Sequence, residues 1–252
     1  MQSIQGTPCW YELGTSNLNA AERFYGQVLG WHMIRAGSPD FDHRLATADA
    51  DKVAGMMSVA DQGDAPPNWL IYFLVYDVDA SARAAQTGGA KLLKAPTDMA
   101  GTRRFAVLAD PQGAAFGILQ PLSMECSAFH QGKPGHGHWH ELMSNDPQAG
   151  FDFYHRLFGW QKSRAMDMGA EGTYQLFSSG GADIGGMMGL GGAPVPGWLP
   201  YFGVDGASAA MARIQAAGGT VLHGPMEVPG PAWIAVARDP QGAHFAVVGP
   251  VK

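Results

Sequence analysis

Cysteine is scarce in this chain: Cys9 and Cys126 are the only two among 252 residues. So few thiols exclude a disulfide framework and fit a reducing compartment. Basic charge is also short, with 16 Lys and Arg against 22 Asp and Glu for a net −6, and no basic run is long enough to track a phosphate backbone. A nucleic-acid partner is therefore not expected. The longest apolar run, Trp69 to Tyr76, falls far below the roughly 20 residues a membrane-spanning helix needs. Met1 to Trp10 carries neither the basic nor the apolar block of a secretion signal. The expectation is a soluble cytoplasmic protein with no membrane partner. Nucleophile and phosphate motifs are missing too. There is no Gly-x-Ser-x-Gly, and the glycine-rich stretch from Gly185 to Gly192 lacks the Lys-Ser/Thr of a phosphate-binding loop.

What is present is an internal repeat. With 46% apolar residues the chain can bury a core, and its 35 glycines and 17 prolines punctuate short apolar segments as turns between strands do. Shifting the sequence by 129 places Trp10, Glu12 and Leu13 on Trp139, Glu141 and Leu142, and Phe24-Tyr25 on Phe153-Tyr154. It also matches Gly30-Trp31 to Gly159-Trp160, Trp69-Leu70 to Trp198-Leu199, and Asp110-Pro111-Gln112-Gly113 to Asp239-Pro240-Gln241-Gly242. Gly55-Met56-Met57 matches Gly186-Met187-Met188 at a shift of 131, so the intervening loops differ by two residues. Repeats of this extent imply two related domains, at about residues 7–121 and 135–250, with a linker over 122–134.

Within each half the hydrophobic period alternates between that of strands and that of helices. Pro8 to Gly14 reads as a strand, and Asn17 caps a helix that carries Leu18, Ala21, Phe24, Tyr25 and Val28 on one face and ends at Gly30. Strands follow at Trp31–Arg35, Arg44–Ala48 and Val53–Val59. The pattern then recurs with a strand at Trp69–Tyr76, a helix at Ala80–Thr87, and strands at Lys91–Lys94, Phe105–Leu108 and Ala115–Leu119. Each half is thus two βαβββ units, which makes an α+β fold with four units in all.

These features resemble the vicinal oxygen chelate superfamily, which contains glyoxalase, bleomycin-resistance proteins and extradiol dioxygenases. The resemblance rests on Trp10-Tyr11-Glu12-Leu13, the helix with Phe24-Tyr25, Leu29-Gly30-Trp31 and the closing Asp-Pro-Gln-Gly turn, each met twice. It implies two tandem glyoxalase-like domains, each a cup-shaped mixed sheet with helices outside and a ligand inside. It also implies where a divalent metal would be held. The three family positions fall on Trp10, Leu70 and Gly117 in the first half and on Trp139, Leu199 and Ala246 in the second. None offers an imidazole, thiolate or carboxylate, so neither a metal nor any other cofactor is expected.

Strand alternation puts Trp10, Glu12 and Gly14 on one face, and Trp139, Glu141 and Met143 on the equivalent face of the second half. It adds Tyr72 to the first cup, and Tyr201 and His244 to the second. A Trp, a Glu and a Tyr per cup suit a planar or aromatic ligand, with room left at Gly117 and Ala246. Glu12 and Glu141 are the candidate acid or base groups, since an apolar cup raises a carboxyl's pKa. A pairing with Arg103 or Arg104 would instead make Glu12 structural. His136, His138 and His140 alternate, but on the helix-facing side, where a surface role is expected. Met56, Met57, Met187 and Met188 read as core filling. The expected function is metal-independent binding of a small molecule, of the drug-sequestering or metabolite-binding kind. The enzyme alternative is a lyase, isomerase or hydroxylase using a Glu base or an unrecognised metal. With two domains per chain, a monomer that forms its pseudo-dimer internally is expected, with a homodimer as the other possibility.

Overall fold

A computed structural model describes residues 4–36, 41–62, 66–99, 101–122 and 126–252. Residues 123–125 of the expected linker lie outside them. The first half runs β1 (Pro8–Thr15), α1 (Leu18–Leu29), β2 (His32–Arg35), β3 (Arg44–Ala48), β4 (Asp51–Ser58), β5 (Asn68–Leu74), α2 (Val78–Thr87), β6 (Lys91–Met99), β7 (Arg103–Ala109) and β8 (Ala115–Pro121). The second half repeats it as β9 (Gly137–Met143), α3 (Pro147–Phe158), β10 (Gln161–Asp167), β11 (Thr173–Ser179), β12 (Ala182–Met188), β13 (Gly197–Gly203), α4 (Ala207–Ala216), β14 (Thr220–Val228), β15 (Ala232–Arg238) and β16 (His244–Gly249). The fold is α+β with four βαβββ units. Each half forms an eight-stranded mixed sheet, ordered β2-β3-β4-β1-β5-β8-β7-β6 and β10-β11-β12-β9-β13-β16-β15-β14. Parallel pairs β1/β4 and β5/β8 sit inside the first sheet, and β9/β12 and β13/β16 inside the second.

Local chemistry sets the element ends. The side chain of Asn17 accepts from the Ala20 N–H at 3.0 Å, and Gly30 closes α1 with φ 72°, a left-handed conformation that costs glycine no Cβ clash. Asp146 and Gly159 do the same for α3. The second helix begins at Val78 rather than Ala80, because Asp77 caps it through the Ala80 N–H. Strand β6 continues to Met99, past the expected Lys94. Pro96 is tolerated there because β6 is an edge strand that bulges against β7.

The chain packs as two compact units, one of Met1–Cys9, Ile71–Cys126 and His140–Trp198, the other of Trp10–Leu70, Ser127–Trp139 and Leu199–Lys252. Each draws one βαβββ unit from each half. In the second unit the buried rings of Tyr25, Trp31, Trp69 and Phe202 form the core, with Phe202 5.2 Å from Trp31 and 5.1 Å from Trp69. In the first, Tyr154, Trp160, Trp198 and Phe73 occupy the matching places, at 5.1 and 5.3 Å from Phe73 to Trp160 and Trp198. The repeated motifs are the ones that build these cores. The Oδ1 atom of Asp110 accepts from the Gln112 and Ala114 N–H groups, holding the Asp-Pro-Gln-Gly turn, while Oδ2 accepts from the Tyr154 hydroxyl at 3.1 Å. Tyr154 in turn accepts from Trp198 Nε1 at 3.0 Å. Asp239, Tyr25 and Trp69 repeat the triad at 3.0 and 2.9 Å. Burial raises the carboxyl pKa of both aspartates and lifts both tyrosines well above the ordinary phenol value. No helix among the described residues is long and apolar enough to cross a membrane.

Candidate functional site

Strand β1 presents Trp10 and Glu12 on one face, as alternation predicts. Trp10 Nε1 donates to Glu12 Oε2 at 2.9 Å, and the other carboxylate oxygen lies 2.7 Å from His43 Nε2. His43 stands just before β3, 31 positions from Glu12 in sequence. Trp10, Glu12 and His43 are 2%, 3% and 4% exposed. Gly55, opposite Glu12 in the β1/β4 register, makes the arrangement possible, because a Cβ there would collide with both the carboxylate and the imidazole. The half-buried Phe41 ring lies nearly parallel to His43, at 5.7 Å and 11°. Next to it Arg44 is buried and neutralised by Glu22 and Asp42, with Asn19 as a further acceptor at 2.8 Å.

His43 is the partner that the sequence reading missed. Arg104, offered there as a partner for Glu12, instead binds Asp79 and Asp98. The reason is register: Asp98 of β6 lies directly opposite Arg104 of β7. The guanidinium of Arg103 donates to Met99 Sδ at 3.0 and 3.2 Å. The 131-residue shift sets His43 against Tyr174 of the second half, so the repeat did not mark it. Register confirms that equivalence: Leu45 opposes Gly55 and Leu176 opposes Gly186, and Gly186 in turn opposes Glu141. The Tyr174 ring covers Gly186 as His43 covers Gly55. The two halves therefore carry Glu with His in one case and Glu with a Tyr position in the other.

The remaining expected residues are spread out. Tyr72 of β5 is buried with its ring over Gly117 of β8 and 6.0 Å from Phe105. The room expected at Gly117 is therefore filled by that ring. Trp139 and Glu141 lie half-buried on β9. Tyr201 is buried opposite Ala246, whereas His244 is exposed at the start of β16, opposite Arg238. Partial burial and then the Arg238 charge lower the pKa of His244. Met56 and Met187 are fully buried core residues. His136 and His140 are also buried, contrary to the surface role expected for them. His136 bonds Asp51 at 3.1 Å and the Pro134 carbonyl at 3.0 Å, and His140 bonds the Ile184 carbonyl at 2.7 Å. Two surface depressions lie apart from these residues. One of about 350 Å³ runs along the end of α1 and Arg213, and one of about 250 Å³ lies beside Tyr76 and Ala80.

The family model described as Glyoxalase/Bleomycin resistance protein/Dioxygenase superfamily matches residues 9–118 and again 136–247. The chain belongs to this superfamily. It is 34% identical over 257 residues to "Putative glyoxylase CFP32" of Mycobacterium tuberculosis, covering 98% of this chain and 95% of that one. It is 31% identical over 260 residues to "Anthracycline biosynthesis protein DnrV" of Streptomyces peucetius, at 96% and 93% coverage. Among solved structures, the Mn(II)-bound glyoxalase from Novosphingobium aromaticivorans aligns with TM-score 0.71 at 15% identity, covering 99% of this chain and 84% of that one. The 2,3-dioxygenase LapB from Pseudomonas sp. KL28 aligns with TM-score 0.72 at 12% identity, covering 99% and 94%. At these identities the structures speak to fold alone.

A divalent ion such as the superfamily glyoxalase holds requires several convergent donors. Among the described residues no group of three or more His, Cys, Asp or Glu side chains is placed to hold one. At the positions implied by the resemblance, the Trp10 N–H is committed to Glu12 and Gly117 lies beneath a phenol ring. The donor set does not fit the metal.

Proposed function

We propose that this superfamily member binds a small planar aromatic molecule without a metal, in the cytoplasm and as a monomer, using Trp10, Glu12 and His43 of its first half. The observation that carries the reading is the buried Glu12–His43 pair, at 2.7 Å and almost out of solvent. Burying two ionisable groups side by side costs desolvation that a well-packed apolar pair would not incur, so such a pair is poor fold-building material. A few oriented polar groups set among apolar and aromatic side chains are what small-molecule sites use to fix a ligand. The Phe41 ring lying parallel to His43 supports an aromatic plane as the occupant of that face. A planar ligand that displaces Phe41 gains the same stacking contact and a polar anchor in the carboxylate–imidazole pair. The name of the Streptomyces relative, an anthracycline biosynthesis protein, favours a fused hydroxylated aromatic over a small dicarbonyl. Pairing of units from both halves within each compact unit supports the monomer.

The test is titration of the chelator-treated protein with a hydroxyanthraquinone such as alizarin, followed by tryptophan quenching. Saturable binding, unchanged by added Mn(II) or Zn(II), is expected. Glu12→Gln weakens it at least about tenfold, because a hydrogen bond to a charged partner is worth ~1.5–3 kcal/mol. Phe41→Ala retains or tightens it. Binding that appears only with added metal, no saturable binding, or turnover of the probe overturns the proposal.

A further inference from the structure

His43 is held by more than its bond to Glu12. Arg44 opens β3 and turns to α1, whereas His43 just before it turns to Glu12 on β1. The Arg44 guanidinium meets the two Asp42 oxygens at 3.4 and 3.0 Å, donates to Asn19 Oδ1 at 2.8 Å and pairs with Glu22. Asn19 and Glu22 stand three residues apart on α1 and so share one face of it. The His43 carbonyl accepts from the Ala36 N–H at 2.9 Å. The residues on both sides of His43 are thus tied to each other and to α1, and its own backbone is tied to the chain leaving β2.

A fork that served only the fold would recur wherever the fold recurs. The second half shows otherwise. The shift that sets His43 against Tyr174 also sets Asp42 against Thr173 and Arg44 against Gln175, while Asn19 and Glu22 fall on Gln148 and Phe151. Gln175 turns its amide to the Ser163 and Leu176 carbonyls at 3.3 and 2.9 Å, and Phe151 is buried with its ring 5.8 Å from His155. The same strand order is built there without a guanidinium at that place. Burying Arg44 to 2% exposure costs desolvation that an amide or a phenyl ring does not. The fork accompanies the histidine, not the fold.

We propose that Arg44 is a positioning residue for ligand binding, a role that rests on the ligand site proposed above: its planar fork fixes the His43 imidazole on Glu12, and the fixed pair anchors the ligand. An ionised carboxylate only accepts, so Nε2 carries the proton of the 2.7 Å bond. That bond lasts only while the ring stays within reach and in line. Lysine keeps the charge of Arg44 but has no planar fork, so it cannot serve Asp42, Asn19 and Glu22 in one fixed geometry. Glu22 and Asp42 have side chains 40% and 50% exposed, so water takes them up when the guanidinium is removed, and the variants are expected to fold.

The experiment records nitrogen–proton correlations of the histidine rings in the full chain, assigned with His43→Ala, and titrates alizarin by tryptophan quenching. In the wild type the His43 Nε2–H is expected as a downfield, slowly exchanging signal that Glu12→Gln moves. Arg44→Lys and Arg44→Gln are expected to shift or remove that signal and to weaken alizarin about tenfold, the scale of one hydrogen bond to a charged partner. Asp42→Asn keeps the guanidinium and moves both readouts the same way by less, which decides the matter should the Arg44 variants not fold. Adding Glu12→Gln to Arg44→Lys costs no further affinity, because both act through one bond. An unshifted His43 signal in the folded variants, no such signal in the wild type, or losses from Arg44→Lys and Glu12→Gln that multiply overturns the proposal. A wild type that shows the signal, loses it in Arg44→Lys and yet binds no alizarin refutes the ligand site, while the hold of the fork on His43 stands.

Discussion

Replacing His43 with Ala tests the Glu12–His43 pair most directly. The imidazole contributes one 2.7 Å bond to a carboxylate that is 3% exposed, and among the described residues the other hydrogen bond to that carboxylate is the Trp10 N–H at 2.9 Å. Truncation leaves a carboxylate oxygen buried without its partner and opens a cavity where the ring stood. Breaking a buried pair from one side costs ~3–5 kcal/mol. Glu12→Gln keeps the shape, and its amide can still bridge Trp10 and His43, so its cost is about 1 kcal/mol. In the double variant no buried charge remains to be orphaned. Its total therefore falls short of the sum by ~1–3 kcal/mol. Urea unfolding reads all three, and an unchanged slope against denaturant shows that the same surface is being exposed. A His43→Ala cost below about 1 kcal/mol, or strict additivity in the double variant, would refute the claim that the two groups form one buried unit.

Two further predictions concern the scaffold. Tyr154→Phe strands the Trp198 N–H and removes one partner of Asp110, at a cost of ~2–4 kcal/mol. Because burial holds the native Tyr154 well above the ordinary phenol value, its contribution is intact below about pH 10 and declines above it, where the unfolded chain loses the proton first. Wild-type stability should therefore fall more steeply with pH in the alkaline range than that of the Phe variant, by about 1.4 kcal/mol per pH unit. Equal slopes in denaturation series near pH 9 and about pH 11 would contradict the buried phenol. Gly117→Ala drives a methyl group into the Tyr72 ring and should cost ~1–3 kcal/mol. A smaller penalty for the same change in a Tyr72→Ala background, seen as a smaller drop in melting temperature, confirms the cause.

Much of the fold was legible because its information is local or repeated. Asn17 and Gly30 announce the ends of α1 by their side-chain chemistry, and the Asp-Pro-Gln-Gly turns announce theirs. The motifs that stood out most, Phe-Tyr, Gly-Trp, Trp-Leu and Asp-Pro-Gln-Gly, turned out to build the Asp–Tyr–Trp triads and aromatic cores. They mark scaffold, not chemistry. The candidate site was half visible. Glu12 and Trp10 share a face because side chains alternate along a strand, and a period of two can be counted in the sequence. His43 was invisible for the opposite reason: it precedes a different strand, and strand order is not a periodic property.

The sequence alone therefore determined the number of βαβββ units, the repetition of one half in the other, and the scarcity of metal donors at the positions implied by the superfamily. Each is a matter of residue type and short-range spacing. Only the tertiary structure decided that Glu12 meets His43 rather than an arginine, that Tyr72 covers Gly117, and that each compact unit joins a βαβββ unit from either half. Those outcomes depend on which strands and apolar faces meet across separations that run from the 31 residues between Glu12 and His43 to the distance between the two halves of the chain. Burial free energy scales with area and carries no memory of sequence distance.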